Sequence, residues 1–271
     1  MGDKIFSISG GFVFPAKERL YGFQDKGVTL GGAQDQLSFQ TAYTMFGKPK
    51  FFKAVEMIYP AKITANTDML LVICGSSYKN TTYNGTEIAY NTIHFIKKDG
   101  LIEFSGTKKG FRTLVFAIEI TSQEQLTRVG KTRPDEIKNF IINNYRDNTI
   151  RVIQGPEYNI LQDTTLFKNN WEISPNSSQM GISLKGVNIP VNSIEMISQP
   201  VVGGVIQLSP NGTIALMRHR QTVGGYPRIA TIIESDIDKL AQFNIGSQIK
   251  FKLIDFESAM DINRKYKKLF I

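Results

Sequence analysis

Short apolar runs rich in β-branched and aromatic residues recur along the chain, and Gly, Asn and Pro separate them. This pattern is typical of antiparallel strands joined by tight turns. The hairpin at Ser209-Pro210-Asn211-Gly212 is the clearest, because Pro suits an early turn position and Gly suits positive φ. The predicted strands are 69–73, 92–96, 101–104, 112–118, 150–153, 205–208, 214–217 and 249–253.

Three amphipathic helices are predicted among these strands, from apolar positions that repeat every three or four residues. The first is capped by Asp35 and ends before Gly47. The second begins near Pro134. The third begins at Ser235, where Asp238 three residues later completes a capping box. The chain is therefore expected to be mainly β with a few helices.

A polar stretch at 143–148 separates the second helix from a new strand. Polar segments between periodic elements mark linkers, so we predict two subdomains, 1–148 and 149–271. The second subdomain is expected to end in a basic tail. The cations of this tail are Arg264, Lys265, Lys267 and Lys268.

Composition and charge narrow the function of these 271 residues. No apolar run is long enough to span a membrane and the N-terminus has no secretory signal, so we expect a cytoplasmic protein with no membrane partner. The net charge of +8 is scattered outside the tail without aromatic interleaving, which argues against a nucleic-acid partner. With only two histidines, no metal site is expected. Cys74 lies in an apolar run and is predicted to be a buried thiol rather than a nucleophile.

Residues 217–228, which we call the signature loop, concentrate polar groups around a Gly-Gly pair. Backbone N–H groups freed by glycines, together with Arg side chains, suit an anionic oxygen of a carboxylate or phosphate. A β-bulge with solvated Arg residues at a strand end fits the same composition. The residues alone leave both interpretations open. Because the chain has neither GxxxxGK[ST] nor GxGxxG, a nucleotide would be bound largely by a partner.

The segment Gln221-Thr222-Val223-Gly224-Gly225-Tyr226-Pro227-Arg228-Ile229-Ala230-Thr231-Ile232-Ile233 closely resembles the QTTGGYPRIATVI signature of one family. This family comprises the C-type subunit of 5-oxoprolinase, the Kip-type antagonist of a sporulation kinase inhibitor, and the carboxyltransferase half-domain of urea carboxylase, also known as allophanate hydrolase subunit 2. Further family motifs follow in order over about 151–255. The first half matches more thinly, chiefly at 22–23, 27–28 and 31–35, and then at Gly47 and Glu56. The resemblance implies two tandem cyclophilin-like β-barrel subdomains.

Three polar positions depart from the family's pattern. Where relatives usually have arginine, glutamate and aspartate, this chain has Gln179, Gln199 and His219, respectively. These changes leave open a different substrate, a regulatory role or an inactive subunit.

The resemblance implies the C-type subunit of an ATP-dependent 5-oxoprolinase, which opens the lactam of 5-oxoproline to glutamate together with A-type and B-type subunits. ATP would be bound by the complex rather than by this chain alone, and the isolated chain is expected to be inactive. The expected catalytic residues are Gln221, from the family signature, and His219, whose role rests on its own chemistry, since a histidine suits proton transfer near neutral pH. The implied substrate contacts are Thr222, Gly224, Gly225, Tyr226, Arg228, Gln207 and Met180.

Two alternatives follow from the same family. A biotin-dependent carboxyltransferase subunit would act on a urea-like amide, although the chain carries no biotin-carrier segment of its own. A non-catalytic antagonist of a kinase inhibitor would need only the pairing surface.

Overall fold

The computed structural model describes residues 4–122, 134–191 and 196–271. The described chain forms two compact units. The first contains the chain up to Lys17 and from Asp35 to Asp135, and the second contains Glu18–Gln34 and Glu136–Leu269. These units differ from the division predicted at residue 148 in two respects. The chain from Glu136 onward, with most of the helix that precedes residue 148, belongs to the second unit, and so does the segment 18–34. Side chains of segment 18–34 bond within that unit, which explains its assignment.

The described residues of the first unit form an eight-stranded sheet and one complete α-helix. In the order β1-β4-β8-β3-β2 the strands pair antiparallel, and β5 pairs with β6, β7 and β8. The elements are β1 (Phe6–Ser9), β2 (Phe12–Ala16), α1 (Gln36–Met45), β3 (Lys53–Tyr59), β4 (Lys62–Ala65), β5 (Met69–Tyr83), β6 (Thr86–Glu87), β7 (His94–Ile96) and β8 (Leu101–Glu119). The core includes Phe6, Met57, Ile63, Met69, Leu71, Ile73, Ile96 and Ile102.

The local signals predicted α1 correctly. A carboxylate oxygen of Asp35 accepts a hydrogen bond from the backbone N–H of Ser38 at 3.0 Å, as an N-cap should. The two strands predicted at 101–104 and 112–118 are instead one strand, β8. Gly106 and Gly110, at φ 79° and 88°, let the strand continue through irregular pairing with β5. Cys74 lies in β5 with 1% of its surface exposed, and burial raises the pKa of its thiol, so the prediction of a buried thiol is confirmed.

The second unit is built on a closed barrel of seven strands in the order β10-β11-β14-β13-β16-β9-β17. All neighbours are antiparallel except β17 and β9, which are parallel. In β17, Ile249 and Phe251 face the core while the intervening lysines face solvent, the alternation that a half-buried strand requires. The core includes Ile150, Val152, Trp171, Ile206, Ala230, Leu240, Ile249 and Phe251.

These elements follow one another along the second half of the chain. They are α2 (Pro134–Asn144), β9 (Thr149–Gln154), α3 (Thr165–Lys168), β10 (Asn170–Ile173), β11 (Gly181–Lys185), β12 (Gln199–Pro200), β13 (Val205–Ser209), β14 (Gly212–Leu216), β15 (Val223–Gly224), β16 (Arg228–Ile232), α4 (Glu234–Ala241), β17 (Gln248–Leu253) and α5 (Phe256–Lys268).

Three details of this unit test the sequence analysis. The predicted hairpin is confirmed, since Ser209 pairs with Gly212 and Gly212 has a φ of 115°. The predicted capping box of α4 is wrong: its N-cap is Ile233, with no side-chain cap bond, because Asp238 is bonded to other side chains. The predicted basic tail is the helix α5, which is capped by Asp255.

The expected class, mainly β with two tandem cyclophilin-like barrel subdomains, is confirmed. In the described part of the chain, no helix is long and apolar enough to cross a membrane.

Candidate functional site

The signature loop leads from the end of β14 to β16. At its centre β15 forms a two-stranded antiparallel ribbon with β12, in which Gly224 lies opposite Gln199. Val223 is 53% exposed and Tyr226 is 44% exposed, so the turn between them projects to the surface. We call residues 223–226 the apex of the signature loop.

The first half of the loop is fastened to Val201. The backbone N–H of Val201 donates to the carbonyl of Thr222 at 2.9 Å. In return, Nε and Nη2 of Arg220 donate to the Val201 carbonyl at 3.3 and 3.2 Å. The chain is therefore fixed directly before the apex.

A buried glutamine supports the apex from below. Gln207 in β13 is 2% exposed, and its Nε2 donates to the carbonyl of Tyr226 at 3.0 Å. A Cβ atom at Gly224 would approach the same Nε2 to 3.0 Å, tighter than nearly all real contacts. A side chain at position 224 would therefore require the Gln207 amide to shift by a few tenths of an ångström.

Arg228 fastens the far end of the loop to Glu157. The Glu157 carboxylate accepts hydrogen bonds from the backbone N–H, Nε and Nη2 of Arg228 at 2.8, 2.9 and 2.7 Å. Hydrogen bonding by Arg228 lowers the pKa of Glu157, and the same bonds raise the pKa of Arg228. Nη1 of Arg228 donates to the Pro200 carbonyl at 3.2 Å. All three guanidinium nitrogens of Arg228 therefore donate hydrogen bonds that hold the loop in position.

His219 lies at the base of the loop rather than at its apex. Its Nε2 is 2.7 Å from the carbonyl oxygen of Gly32. A carbonyl can only accept, so Nε2 carries the hydrogen and Nδ1 is the nitrogen left for proton transfer. Gly32, which belongs to the family motif in the first half of the chain, therefore contacts the signature loop.

Gln34 makes a second connection to the same region. Its Nε2 donates to the carbonyl and Oε1 of Gln179 at 2.6 and 2.8 Å. Its own Oε1 and backbone carbonyl accept from the backbone N–H and Nε of Arg218 at 3.2 and 3.0 Å. Nε2 of Gln179 is buried, and within the described residues it has no hydrogen-bond partner. Two of the three departures from the family pattern, at 179 and 219, therefore contact the segment 32–34.

Arg218 is buried in an ionic network beneath the loop. It bonds to Asp238 at 2.6 Å and to Glu234 at 2.9 Å, and the Tyr266 hydroxyl donates to Asp238. Burial opposes the charge of Arg218, but Asp238 and Glu234 together raise its pKa. Burial raises the pKa of Asp238, and Arg218 opposes that shift. Sequence reasoning missed this network because its members are distant along the chain.

The structure brings most of the predicted site residues together. All of them except Gln207 and Met180 belong to the signature loop, and Gln207 lies directly below it. Met180 precedes β11, where its carbonyl accepts from the backbone N–H of Met217 at 2.9 Å and its side chain is 49% exposed. Among the described residues, no three His, Cys, Asp or Glu side chains are grouped to hold a metal ion.

The profile of the carboxyltransferase domain, subdomains A and B, matches residues 26–126 and 117–253. The chain belongs to this family. It is 26% identical to the C-type 5-oxoprolinase subunit of Haemophilus influenzae, over 90% of this chain and 89% of that protein. It is 36% identical to the C-type 5-oxoprolinase subunit of Escherichia coli over 128 residues, which cover 45% of this chain and 41% of that protein.

Two solved structures of Kluyveromyces lactis proteins share the fold. Urea carboxylase superposes with a TM-score of 0.82 at 16% identity, over 98% of this chain and 29% of that one. Urea amidolyase superposes with a TM-score of 0.81 at 15% identity, over 98% of this chain and 20% of that one. This carboxyltransferase-domain chain therefore spans less than a third of either yeast protein, and at these identities the likeness concerns the fold alone.

Proposed function

We propose that the chain is the C-type subunit of an ATP-dependent 5-oxoprolinase complex that opens the lactam of 5-oxoproline to glutamate. The observation that carries this proposal is the similarity to a C-type 5-oxoprolinase subunit along nearly the full length of both chains. The name of that relative also supports further subunits, which we propose to be A-type and B-type partners in the cytoplasm.

The signature loop is the proposed substrate site. Its apex is exposed, while backbone and side-chain bonds on both sides hold it in place. Such a loop can present N–H groups to a carboxylate or to an oxyanion that develops during lactam opening. We propose that Gln221 and the backbone at Thr222, Gly224 and Gly225 make these contacts, with Tyr226 beside them. Gln207 and Arg228 would act by fixing the loop.

Two further residues have proposed roles at the base of the loop. His219 would take or give a proton at Nδ1, since Nε2 is directed at a carbonyl. The exposed side chain of Met180 would contact the apolar part of the substrate. Both roles require the substrate to extend from the apex toward the base of the loop.

A triphosphate needs accessible cations that are free to pair with it. In the signature loop, Arg228 is paired with Glu157, Arg218 is paired with Glu234 and Asp238, and Arg220 is only 2% exposed. We therefore propose that a partner subunit holds the nucleotide. The role of this chain is to bind and orient the lactam.

Reconstitution tests the proposal. The chain is co-expressed with the A-type and B-type subunits of the same organism, and glutamate formation from 5-oxoproline is measured with and without ATP. We expect turnover only when all three subunits and ATP are present. Turnover in the absence of this chain would contradict the proposal, whereas biotin-dependent carboxylation of urea would favour the carboxyltransferase alternative.

Two substitutions, one in the signature loop and one outside it, test whether this loop is the substrate site. Gln221→Ala should lower kcat by about a hundredfold to a thousandfold, the effect typical of removing one oxyanion donor. Gln248→Ala, an exposed glutamine in β17, is the matched control and should keep full turnover. Equal turnover of the two variants would show that the signature loop is not the substrate site.

A further inference from the structure

A cavity of about 280 Å³ lies in the second unit beside β16, the first turn of α4 and the helix α5. Three arginines line it, Arg19, Arg218 and Arg220, together with Glu234 and Asn263. The apex of the signature loop is not part of its lining. The cavity therefore does not include the apex, although Arg218 and Arg220 in its lining belong to the base of the same loop.

Two of the three arginines are paired with carboxylates. Glu234 accepts from Arg19 at 2.6 Å and from Arg218 at 2.9 Å, and Arg218 also reaches Asp238 at 2.6 Å. The carboxylates of Glu234 and Asp238 thus balance Arg19 and Arg218. The third guanidinium adds one positive charge that neither carboxylate is bonded to.

That third cation, Arg220, is only 2% exposed. Nε and Nη2 donate to a neutral group, the carbonyl of Val201. Nη1 is buried and has no hydrogen-bond partner within the described part of the chain. Burial lowers the pKa of Arg220, repulsion by Arg218 adds to the effect, and attraction to Glu234 opposes it. A buried cation in this setting is stabilised when an anion pairs with it.

Two more buried polar atoms along the same cavity are unsatisfied. Nε of Arg19 and Oδ1 of Asn263 have no hydrogen-bond partner among the residues that the structure describes. Buried polar groups in native proteins are nearly always bonded to protein, water or ligand. Water can satisfy these atoms, but it cannot neutralise Arg220.

We propose that this cavity binds a small monocarboxylate with a short apolar body, whose carboxylate pairs with Arg220. The three guanidiniums carry one more charge than the two carboxylates that pair with them, and the ligand carboxylate would supply the missing negative charge. Ile237, Phe256 and Met260 supply apolar lining for a hydrocarbon chain, and the latter two are 65% and 46% exposed at the mouth of the cavity. The volume lies just below the range of drug-sized ligand sites, as expected for a small ligand. This inference does not rest on the proposed function.

Titration calorimetry of the full chain with sodium valerate tests the proposal, with valeramide as its neutral analogue. We expect one valerate to bind per chain, and valeramide to bind at least about tenfold more weakly, because it forms no charge-assisted bond to Arg220. Arg220→Gln should weaken valerate binding by a similar factor. Arg264→Gln, an exposed arginine on α5, is the matched control and should leave it unchanged.

Replacing the buried Arg220 can itself destabilise the fold, so a second variant keeps this arginine and changes the mouth of the cavity instead. Met260→Trp narrows the mouth of the cavity from an exposed helix position, so it should keep the unfolding temperature and weaken valerate binding by about tenfold. The proposal is overturned by equal affinity for valerate and valeramide, by valerate binding that neither variant changes, or by no binding of valerate at millimolar concentration.

Discussion

Replacing Glu157 by glutamine should release the far end of the signature loop. The carboxylate accepts three hydrogen bonds from Arg228, at 2.7 to 2.9 Å, and the side chains of the pair are only 16% and 13% exposed. Glutamine has nearly the same shape but no charge, and its amide nitrogen cannot accept. At least one of the three bonds is therefore lost, and the others no longer involve a carboxylate.

The expected cost is about 2 to 3 kcal/mol. A hydrogen bond to a charged group contributes about 1.5 to 3 kcal/mol, and bonds that share one carboxylate do not add in full. The isolated chain is unfolded with urea at neutral pH, and the free energies of unfolding of the parent and the variant are compared. Glu172→Gln is the control, since its pair with Lys185 spans 3.6 Å and is exposed, so it should change stability by less than about 1 kcal/mol.

The pH dependence gives an independent check on this prediction. Hydrogen bonding by Arg228 lowers the pKa of Glu157 in the folded chain, whereas the unfolded value is about 4.3. The stabilisation is therefore complete above that value and is lost as the pH falls through the folded pKa. The difference between parent and variant should be constant from neutral pH to about 5 and shrink in more acidic solution. A difference that stays constant in acid, or is no larger than that of the control, would refute the reasoning.

Three further substitutions test other parts of the structure. Asp238→Asn should cost about 3 to 5 kcal/mol in urea unfolding, because it removes one carboxylate from buried Arg218; a cost below about 1 kcal/mol would contradict this role. His219→Asp sets a carboxylate against the Gly32 carbonyl and should cost about 1 to 2 kcal/mol in thermal unfolding; an unchanged Tm would show that this contact is dispensable. Cys74→Ser should cost about 1 to 3 kcal/mol by burying a hydroxyl, without changing turnover of the assembled complex. Lost turnover in the folded Cys74 variant would instead indicate a nucleophile.

Elements that depend on neighbouring residues could be predicted from the sequence. The cap at Asp35 and the turn before Gly212 involve residues within three positions, so their signals are complete in the local pattern. The helix α5 carried such a signal too, since Asp255 accepts from the backbone N–H of Ser258 at 2.7 Å. It was missed because its cluster of cations looked like a solvated tail, while Tyr266 is in fact buried.

Features that depend on distant residues could not be predicted in this way. The capping box at α4 failed because Asp238 pairs with Arg218, twenty residues earlier in the chain. The composition of the signature loop indicated anion contacts, but Glu157 lies 71 residues from Arg228, and no local pattern connects them. Only the fold shows that the Glu157 carboxylate pairs with the Arg228 guanidinium.

The assignment of segment 18–34 to the second unit has a consequence for biosynthesis. Gln34 and Arg218 are bonded although 184 residues separate them in the chain. At about 5 to 20 residues per second, a ribosome needs roughly 10 to 40 s to make that interval. Throughout this time the early segment has emerged while its partners are still unmade. The second unit therefore completes its folding only late in translation, and a chaperone that covers the early segment would act during this interval.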